Sequence, residues 1–295
     1  MELTPEQRTQ WKAIITGCLQ QFITLCEEHR LTYYCVGGTA IGAVRHQGLI
    51  PWDDDIDVAM PRPDYDRFLE LCKRQDLGDY ELATPERKGY PCHFAKLCDR
   101  RTTLIEKRDV PCVYGLYIDI FPIDGTAPDM AEAKRLLRKY KQWNNKLDAA
   151  LTRHTLRQYL ALALKPTEWG RMAVQTAAVI IGRERVRRYI IHRLDSMARQ
   201  YDYTTATLVA NYDGAYRERE IFPKAWTDTL CDKPFEHLTV KLPGNYDAYL
   251  KNIYTDYMQL PPEEQRVCHH LHDYLDLNKR VTEEEIKASN YANGC

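Results

Sequence analysis

Residues 34–60 read YCVGGTAIGAVRHQGLIPWDDDIDVAM, and this stretch decides how the rest of the chain is interpreted. An apolar run enters a glycine pair, a short segment with a helical pattern follows, and a tight acidic cluster precedes a second apolar run. Backbone N–H groups at the start of a helix attract anions. Carboxylates on one face of a strand can share a divalent cation. The stretch therefore predicts a site for a metal-bound phosphate.

The segments around this stretch alternate between helical and strand patterns. Thr4 is a good N-cap, and Pro5 and Gln7 complete a capping box, which predicts a helix from Pro5. Thr39 is expected to cap a shorter helix that ends at Gly48. Strands are expected at 33–36, 56–58, 80–83, 93–98, 103–106 and 116–121. These elements predict an α/β (α+β) fold, with a small mixed sheet flanked by helices.

The chain divides into three parts by pattern. We predict a catalytic core at residues 1–129, a basic helical insertion at 130–204, and a mixed C-terminal part at 205–295 that completes the site. The basic insertion could dock an anionic glycan, a lipid pyrophosphate or a membrane surface. A solvated helical face is the simpler explanation of the same charges.

Composition limits the classes of protein to consider. The chain has 295 residues, 44% of them hydrophobic and 28% charged, which suits one or two globular domains. The net charge of −1 gives no overall attraction to nucleic acid, so no nucleic-acid partner is expected.

Ten cysteines without a Cys-x-x-Cys pair favour buried reduced thiols and a cytoplasmic location. The N-terminus lacks a secretory signal pattern. The longest charge-free apolar stretch, 172–182, is shorter than the about 20 residues that span a bilayer. A peripheral contact at the inner face of the membrane stays compatible with the sequence.

The acidic cluster is the strongest functional signal. On a strand, Asp53, Asp55 and Asp57 would line one side while Asp54 points away. Like charges this close need proton uptake, basic partners or a metal, and oxygen ligands favour Mg²⁺ or Mn²⁺ over zinc. A solvated acidic turn is the alternative. An EF-hand is disfavoured because Val58 stands where that loop needs glycine.

A second acid comes from the apolar run 117–121, which Asp119 interrupts. A carboxylate in such a strand needs a partner, and a satisfied structural acid is the alternative. If this strand lies beside the first, Asp119 completes a set able to hold one or two metals for phosphoryl transfer. Asp119 could also accept the proton of an attacking hydroxyl.

Three basic residues could neutralise charge on a transferring phosphate: Arg45, His46 and Lys96. An ordinary ion pair explains each of them equally well. The cluster Cys268, His269, His270 and His272 allows a zinc site, but no second ligand pair stands at the required spacing, and a single histidine near the donor is the alternative. The tyrosines near 246–257 have the helical spacing of core residues rather than of a stacking platform.

Several motifs of this chain resemble those of the LicD family, the phosphorylcholine transferase-like proteins that include the fukutin-related ribitol-phosphate transferases. The matching stretches are 36–39, 42–46 with Gly48, 50–58, 118–122 and, in the C-terminal part, 245–262. The element Trp-Asp-x-Asp-Ile-Asp within 52–57 is the most specific of them. Thr255 stands where relatives often have glycine.

The resemblance implies a nucleotidyltransferase fold and transfer of a phospho-alcohol from a CDP-activated donor to a hydroxyl of a glycan, with release of CMP. A lipopolysaccharide, a teichoic acid or another lipid-linked saccharide would be the acceptor. The implied metal ligands are Asp53, Asp55, Asp57 and Asp119, of which the last three are the expected catalytic residues. The implied contacts to the donor phosphate are Gly37, Gly38 and Thr39.

Two other functions stay open at this point. A nucleotidyltransferase would place a whole NMP on a small hydroxyl acceptor and release pyrophosphate. A non-catalytic glycan-binding scaffold would need no metal, and an intact set of aspartates argues against it.

Overall fold

A computed structural model describes residues 3–106, 110, 112–266, 273–282, 284 and 285. The helices in these ranges are α1 (Pro5–Glu28), α2 (Gly37–Ile41), α3 (Arg62–Arg74), α4 (Met130–Leu151), α5 (Leu156–Ala163), α6 (Trp169–Ile181), α7 (Arg183–Ala198) and α8 (Tyr246–Tyr254). The strands are β1 (Tyr34–Cys35), β2 (Asp57–Pro61), β3 (Tyr80–Ala83), β4 (Ala95–Asp99), β5 (Thr103–Ile105), β6 (Tyr117–Gly125), β7 (Leu208–Ala210), β8 (Ile221–Pro223), β9 (Leu230–Phe235), β10 (Leu238–Pro243) and β11 (Tyr274–Asp276).

A mixed sheet forms the centre of the fold. Its strands follow the order β1-β2-β6-β4-β3, and β7 and β8 continue it beyond the far end of β6. β2 and β6 run parallel, whereas the other neighbours are antiparallel. Separate two-stranded pairs join β9 to β10 and β5 to β11. The predicted mixed α/β class is confirmed.

The first helix packs along this sheet. Thr4 and Gln7 form the expected capping box, in which each side chain bonds the backbone of the other residue. One stripe of α1, which includes Trp11, Cys18 and Phe22, is buried in the main core. Burying such a stripe against the sheet is what stabilises a helix of this length.

The basic middle segment folds as the predicted helices. α4, α6 and α7 pack around a second apolar core that also takes in residues from β7 and β8, such as Ala210 and Ile221. Within the described ranges, no helix combines the length and the apolar character that crossing a bilayer requires.

The C-terminal third joins the main core. Phe235, Val240 and Leu250 are buried in the same cluster as the residues of α1 and the central strands. The sequence patterns did not predict β8, β9 or β11, because β9 alternates weakly and contains a proline, and the other two strands are only three residues long.

The helix after the glycine pair differs from the expectation. It begins at Gly37 with Val36 as its N-cap residue, so Thr39 lies inside the helix and does not cap it. The helical path then widens into a single π-type turn at Gly42–His46 and ends at Gln47, which adopts a left-handed conformation. Wide turns of this kind are frequent at functional sites.

Candidate active site

A cavity of about 1090 Å³ lies between the glycine pair, the acidic cluster and the C-terminal third. The four aspartates predicted to bind metal line it: Asp53, Asp55, Asp57 and Asp119. Gly37 and Gly38 lie in the same wall, and Tyr254 and Tyr257 close it from the C-terminal side. The structure therefore brings both motifs of the sequence to one space.

The parallel pairing of β2 with β6 places two of the acids side by side. Asp57 and Asp119 are directly paired in the register, and the Asp119 N–H donates to the Ile56 carbonyl at 2.9 Å. Because residues paired across a sheet point to the same face, both carboxylates face the cavity. Thr39 Oγ1 accepts a hydrogen bond from the Asp57 N–H at 2.8 Å and fixes the start of β2.

The other acids lie on a loop. Because β2 begins only at Asp57, residues 53–55 do not belong to the expected strand, and the cavity lining includes Asp53, Asp55 and Asp57 but not Asp54. One carboxylate oxygen from each of Asp53, Asp54 and Asp55 lies within 4.8 Å of the others. Among the described residues, this triad is the acidic group with metal-ligand spacing. Asp57 and Asp119 continue the acidic wall beside it.

The glycine pair touches this acidic wall. Gly37 has a φ of +58°, and a Cβ there would lie 3.0 Å from Asp57 Oδ2. A Cβ on Gly38 would lie 2.4 Å from Asp53 Oδ2, which no side chain tolerates without moving that carboxylate. The pair is therefore needed for close approach of backbone and acids.

Burial and neighbouring acids change the pKa values of the acids in this site. Burial and the charges of Asp55, Asp119 and Asp53 raise the pKa of Asp57 well above its ordinary value. Burial raises the pKa of Asp119 to about 6, although Lys96 acts in the opposite direction. Acids in such surroundings gain from a bound cation.

Lys96 lies behind the acids and not in the cavity wall. Its ammonium donates to Asp119 Oδ1 at 2.6 Å, lies 3.6 Å from Glu106 Oε1 and sits 3.4 Å from the centre of the Tyr117 ring. Although burial alone lowers it, Asp119 and Glu106 raise the pKa of Lys96 well above its ordinary value. Lys96 therefore stays charged and holds Asp119 in place.

The other residues predicted to contact phosphate lie in different parts of the site. Arg45 lines the cavity, and its guanidinium donates to the carbonyls of Tyr257 and Gln259 at 2.8 and 3.2 Å, which ties the C-terminal wall to the helix after the glycine pair. His46 packs edge-on against Trp52, with 6.0 Å between ring centres. Thr39 is buried, 3% exposed, and positions Asp57 as described above.

The opposite wall contains residues that sequence reasoning missed. Asp213 and Glu220 come from the segment after β7, and Phe94 and Phe121 come from the central strands. Burial raises the pKa of Glu220 to about 7. Burial also favours the neutral form of Asp213, but a hydrogen bond and the charge of His93 outweigh it and lower the pKa. A turn pattern at Asp213-Gly214 was the one local sign of this wall.

The C-terminal wall contains the tyrosines noted in the sequence. Tyr249 is 1% exposed and belongs to the core, as predicted, yet it reaches the cavity together with Tyr254 and Tyr257. Thr255 has φ +64° and ψ −87°, a conformation that glycine adopts without strain. The histidine and cysteine cluster at 268–272 lies outside the described residues, so the zinc hypothesis is unchanged.

The donor set fits a hard divalent cation. All its ligand atoms are carboxylate oxygens, and one from each of Asp53, Asp54 and Asp55 lies within 4.8 Å of the others. These three acids would hold such an ion, and Asp57 and Asp119 line the cavity beside them.

Comparisons with known proteins agree with this geometry. The family model "LicD/FKTN/FKRP, nucleotidyltransferase domain" matches residues 30–160, which include the glycine pair, the acidic cluster and Asp119. The chain is 29% identical over 268 residues to the lipopolysaccharide cholinephosphotransferase LicD of Haemophilus influenzae, covering 88% of this chain and 94% of that protein.

A shorter match relates the chain to the uncharacterized protein RP689 of Rickettsia prowazekii. The two are 45% identical over 99 residues, which cover 24% of this chain and 37% of that one. The family model and the nearly full-length similarity to LicD lead to one conclusion: residues 30–160 carry a nucleotidyltransferase domain of the LicD/FKTN/FKRP family, and the chain is a phosphotransferase enzyme.

Proposed function

We propose that this protein transfers a phospho-alcohol, phosphocholine or a close analogue, from a CDP-activated donor to a hydroxyl of a cell-surface glycan and releases CMP. The observation that carries the proposal is the pairing of Asp57 with Asp119 in one cavity wall, beside the acidic loop and the glycine pair. The relative from H. influenzae, whose name describes a lipopolysaccharide cholinephosphotransferase, supports the choice of alcohol and acceptor.

In this proposal the acidic wall holds Mg²⁺ or Mn²⁺ against the diphosphate of the donor. The bound ion would neutralise charge on the phosphate oxygens. The backbone N–H groups at Gly37 and Gly38 and the guanidinium of Arg45 would contact the same phosphates from the other side. Asp119 is placed to accept the proton of the acceptor hydroxyl, because Lys96 holds its carboxylate at the cavity wall.

Aromatic rings near the acids support a cationic alcohol. Lys96 pairs with Asp119 and Ala95 pairs with Ile120 across β4 and β6, and Phe94 and Phe121 are the next residues beyond these pairs. Their ring centres lie 4.4 Å apart, and both rings line the cavity. Two residues along a strand span about 6.7 Å. A short carbon chain would therefore bridge the distance between a phosphate at Asp119 and the two rings.

The charge at these rings points to a cationic group as well. Asp213, whose lowered pKa keeps it ionised, lines the cavity with the two phenylalanines. Aromatic faces with a nearby carboxylate bind quaternary ammonium groups. A neutral polyol such as ribitol would gain nothing from these rings.

The location is part of the proposal. The described cysteines are free thiols, and most of them are buried. Unpaired thiols of this kind suit a reducing compartment, so we place the reaction in the cytoplasm, with a lipid-linked saccharide as the acceptor.

The decisive experiment measures products. The protein is incubated with Mg²⁺, CDP-choline and a lipopolysaccharide-derived glycan, and CMP, pyrophosphate and phosphocholine-modified glycan are quantified. We expect CMP and modified glycan. In a parallel incubation that replaces CDP-choline with CTP, pyrophosphate release would instead identify NMP transfer, because CDP-choline itself cannot release pyrophosphate. The absence of products in both incubations would leave a binding scaffold.

Two variants make the result specific to the site. Asp55→Ala should abolish CMP release, whereas Asp232→Ala, an exposed acid of β9 paired with Lys241, should not change it. Both should fold as the parent does, as judged by circular dichroism. Equal CMP release by Asp55→Ala would remove the acidic loop from the mechanism.

A further inference from the structure

The connection between α4 and α7 carries most of the large apolar side chains that lie in solvent. Among the described residues, eleven large hydrophobic side chains are exposed, and six of them belong to this connection. The six are Leu160, Leu164, Trp169, Val179, Ile180 and Ile181. Leu164 is 84% exposed and Ile180 is 77% exposed. We call residues 156–181, which comprise α5 and α6, the α5–α6 hairpin.

One face of α6 forms a continuous stripe in this patch. Trp169, Ala173, Thr176 and Ile180 recur at the spacing of a single helical face, and all four are exposed. Gln175 and Ala178, on the other side of the helix, are buried. The helix thus packs inward through one face and leaves an apolar face outward. Apolar surface of this extent marks an interaction site.

The charges around the hairpin are mostly positive. Between residues 153 and 185 the chain has six basic residues and two acidic ones, although its overall net charge is −1. The acid Glu184 is engaged by Arg187 and Arg188. Within the described ranges, no carboxylate lies at ion-pair distance from Arg153, Arg157, Lys165 or Arg185. The hairpin therefore presents apolar side chains among uncompensated cations.

A groove extends the same surface. Trp143, Val174 and Ile181 line it together with Ala177, Val186, Tyr189 and Ile190, and its volume is about 390 Å³. Lys146 and Arg185 stand among these apolar side chains. An apolar groove bordered by cations is suited to a hydrocarbon chain that ends in an anionic group.

The charges and side-chain types of the α5–α6 hairpin indicate which kind of partner binds it. A second copy of this chain would bring the same basic residues to the contact and be repelled. Anionic lipid headgroups complement the cations, and Trp, Leu and Ile insert at the boundary of the acyl region. At 13 residues, α6 is shorter than the about 20 residues that cross a bilayer. It can therefore lie only in the plane of the membrane surface.

We propose that the α5–α6 hairpin binds the surface of an anionic lipid bilayer, with its exposed apolar side chains in the acyl boundary and its cations at the headgroups. None of its residues lines the cavity described above. The inference therefore does not depend on the reaction that the cavity performs.

The test uses the full chain and vesicles. Phosphatidylcholine vesicles with and without phosphatidylglycerol are sedimented with the protein, and the bound fraction is measured. We expect binding to the anionic vesicles, weaker binding to neutral ones, and release by added salt. The double variant Leu164→Glu with Ile180→Glu should lower the partition coefficient at least about tenfold.

The control is Met130→Glu, which changes another exposed apolar residue, 40% exposed, at the start of α4. It should bind vesicles as the parent does. All proteins are compared by thermal melting, since the changed residues are exposed and should not affect the fold. Equal partition of the parent and the double variant would overturn the proposal. So would self-association without lipid that the double variant abolishes, because that result would assign the surface to a second copy.

Discussion

Strand β6 carries two carboxylates in different surroundings: Asp124 is buried, whereas Asp119 is partly exposed at the cavity. Asp124 accepts two hydrogen bonds of 2.6 Å from Arg62, and both side chains are at most 9% exposed. Asp119 accepts one bond of 2.6 Å from Lys96, which also serves Glu106, and has the acidic wall on its other side. The Arg62–Asp124 pair holds structure, while Asp119 shares its lysine with a second acid and faces the acidic wall of the cavity. The comparison indicates that an acid and one basic partner do not by themselves point to function, and that the other neighbours of the acid must be considered.

The largest effect is expected for the loss of activity when Asp119 is replaced. Asp119→Asn keeps an acceptor for Lys96 but removes charge from the acidic wall, so we expect CMP release to fall by about 10³-fold or more. The melting temperature at pH 7 should not fall, because the substitution removes an ionised carboxylate that burial destabilises, although it also loses attraction to Lys96. Activity within about tenfold of the parent would show that Asp119 is only structural.

The Arg62–Asp124 pair should give the reverse result. Asp124→Ala leaves Arg62 buried without its main partner, and we expect the free energy of unfolding to fall by about 3–5 kcal/mol in urea titrations. The fraction that stays folded should keep its activity.

A double variant sharpens this test. Replacing both partners, Arg62→Met with Asp124→Leu, should recover most of the lost stability, because no buried charge is then left unpaired. Loss of activity by the folded single variant at low temperature would mean that Asp124 also serves the site.

Burial raises the pKa of both acids, so a comparison with Asp119→Asn isolates the share of Asp119 in the pH dependence of stability. The pKa of Asp119 is raised from 3.8 to about 6, mainly by burial. Between about pH 4 and pH 6 the folded protein therefore binds more protons than the unfolded chain, so stability falls as pH rises, and the full cost is present above about pH 6.

We expect this slope to amount to about 2–3 kcal/mol in the metal-free protein and to be lost in Asp119→Asn. The difference between the two curves isolates Asp119 from Glu220, whose raised pKa acts in the same direction. Added Mg²⁺ should raise the melting temperature more at pH 7 than at pH 5, since it binds the ionised acids. Parallel curves for the two proteins would contradict this account.

The smallest effect concerns the exposed end of the Arg62 pair. Asp66 lies 3.7 Å from Arg62 and bonds Arg199 at 2.6 and 2.8 Å, but it is 40% exposed. Asp66→Ala should cost less than about 1 kcal/mol, because solvent screens exposed pairs. A loss as large as that of Asp124→Ala would show that the number of ion pairs matters more than their burial.

Local patterns predicted the parts of this fold that depend on local chemistry. The capping box at Thr4 and the strand Tyr80–Ala83 lie where the sequence placed them. Asp119 was found because a lone acid in an apolar strand needs a reason, and the structure puts it beside Asp57. Three like charges in one short stretch likewise indicated the acidic wall before any geometry was known.

The features that the sequence patterns did not predict depend on pairing between strands that are far apart in the chain. Whether residues 53–55 join a strand depends on where β2 begins to pair with β6, and the start at Asp57 leaves these three residues outside the expected strand. The wall of Asp213 and Glu220 forms because β7 returns to the end of β6. No periodicity in the sequence after β7 indicates that β7 pairs with the end of β6.

The indole of Trp11 reaches from α1 to the acidic loop. Its Nε1–H donates to the Asp54 carbonyl at 2.8 Å, while the ring itself is 5% exposed. Any ligand that draws Asp53, Asp54 and Asp55 together must therefore alter the surroundings of a buried fluorophore. Tryptophan emission can therefore be used to titrate the occupancy of these acids without an added label.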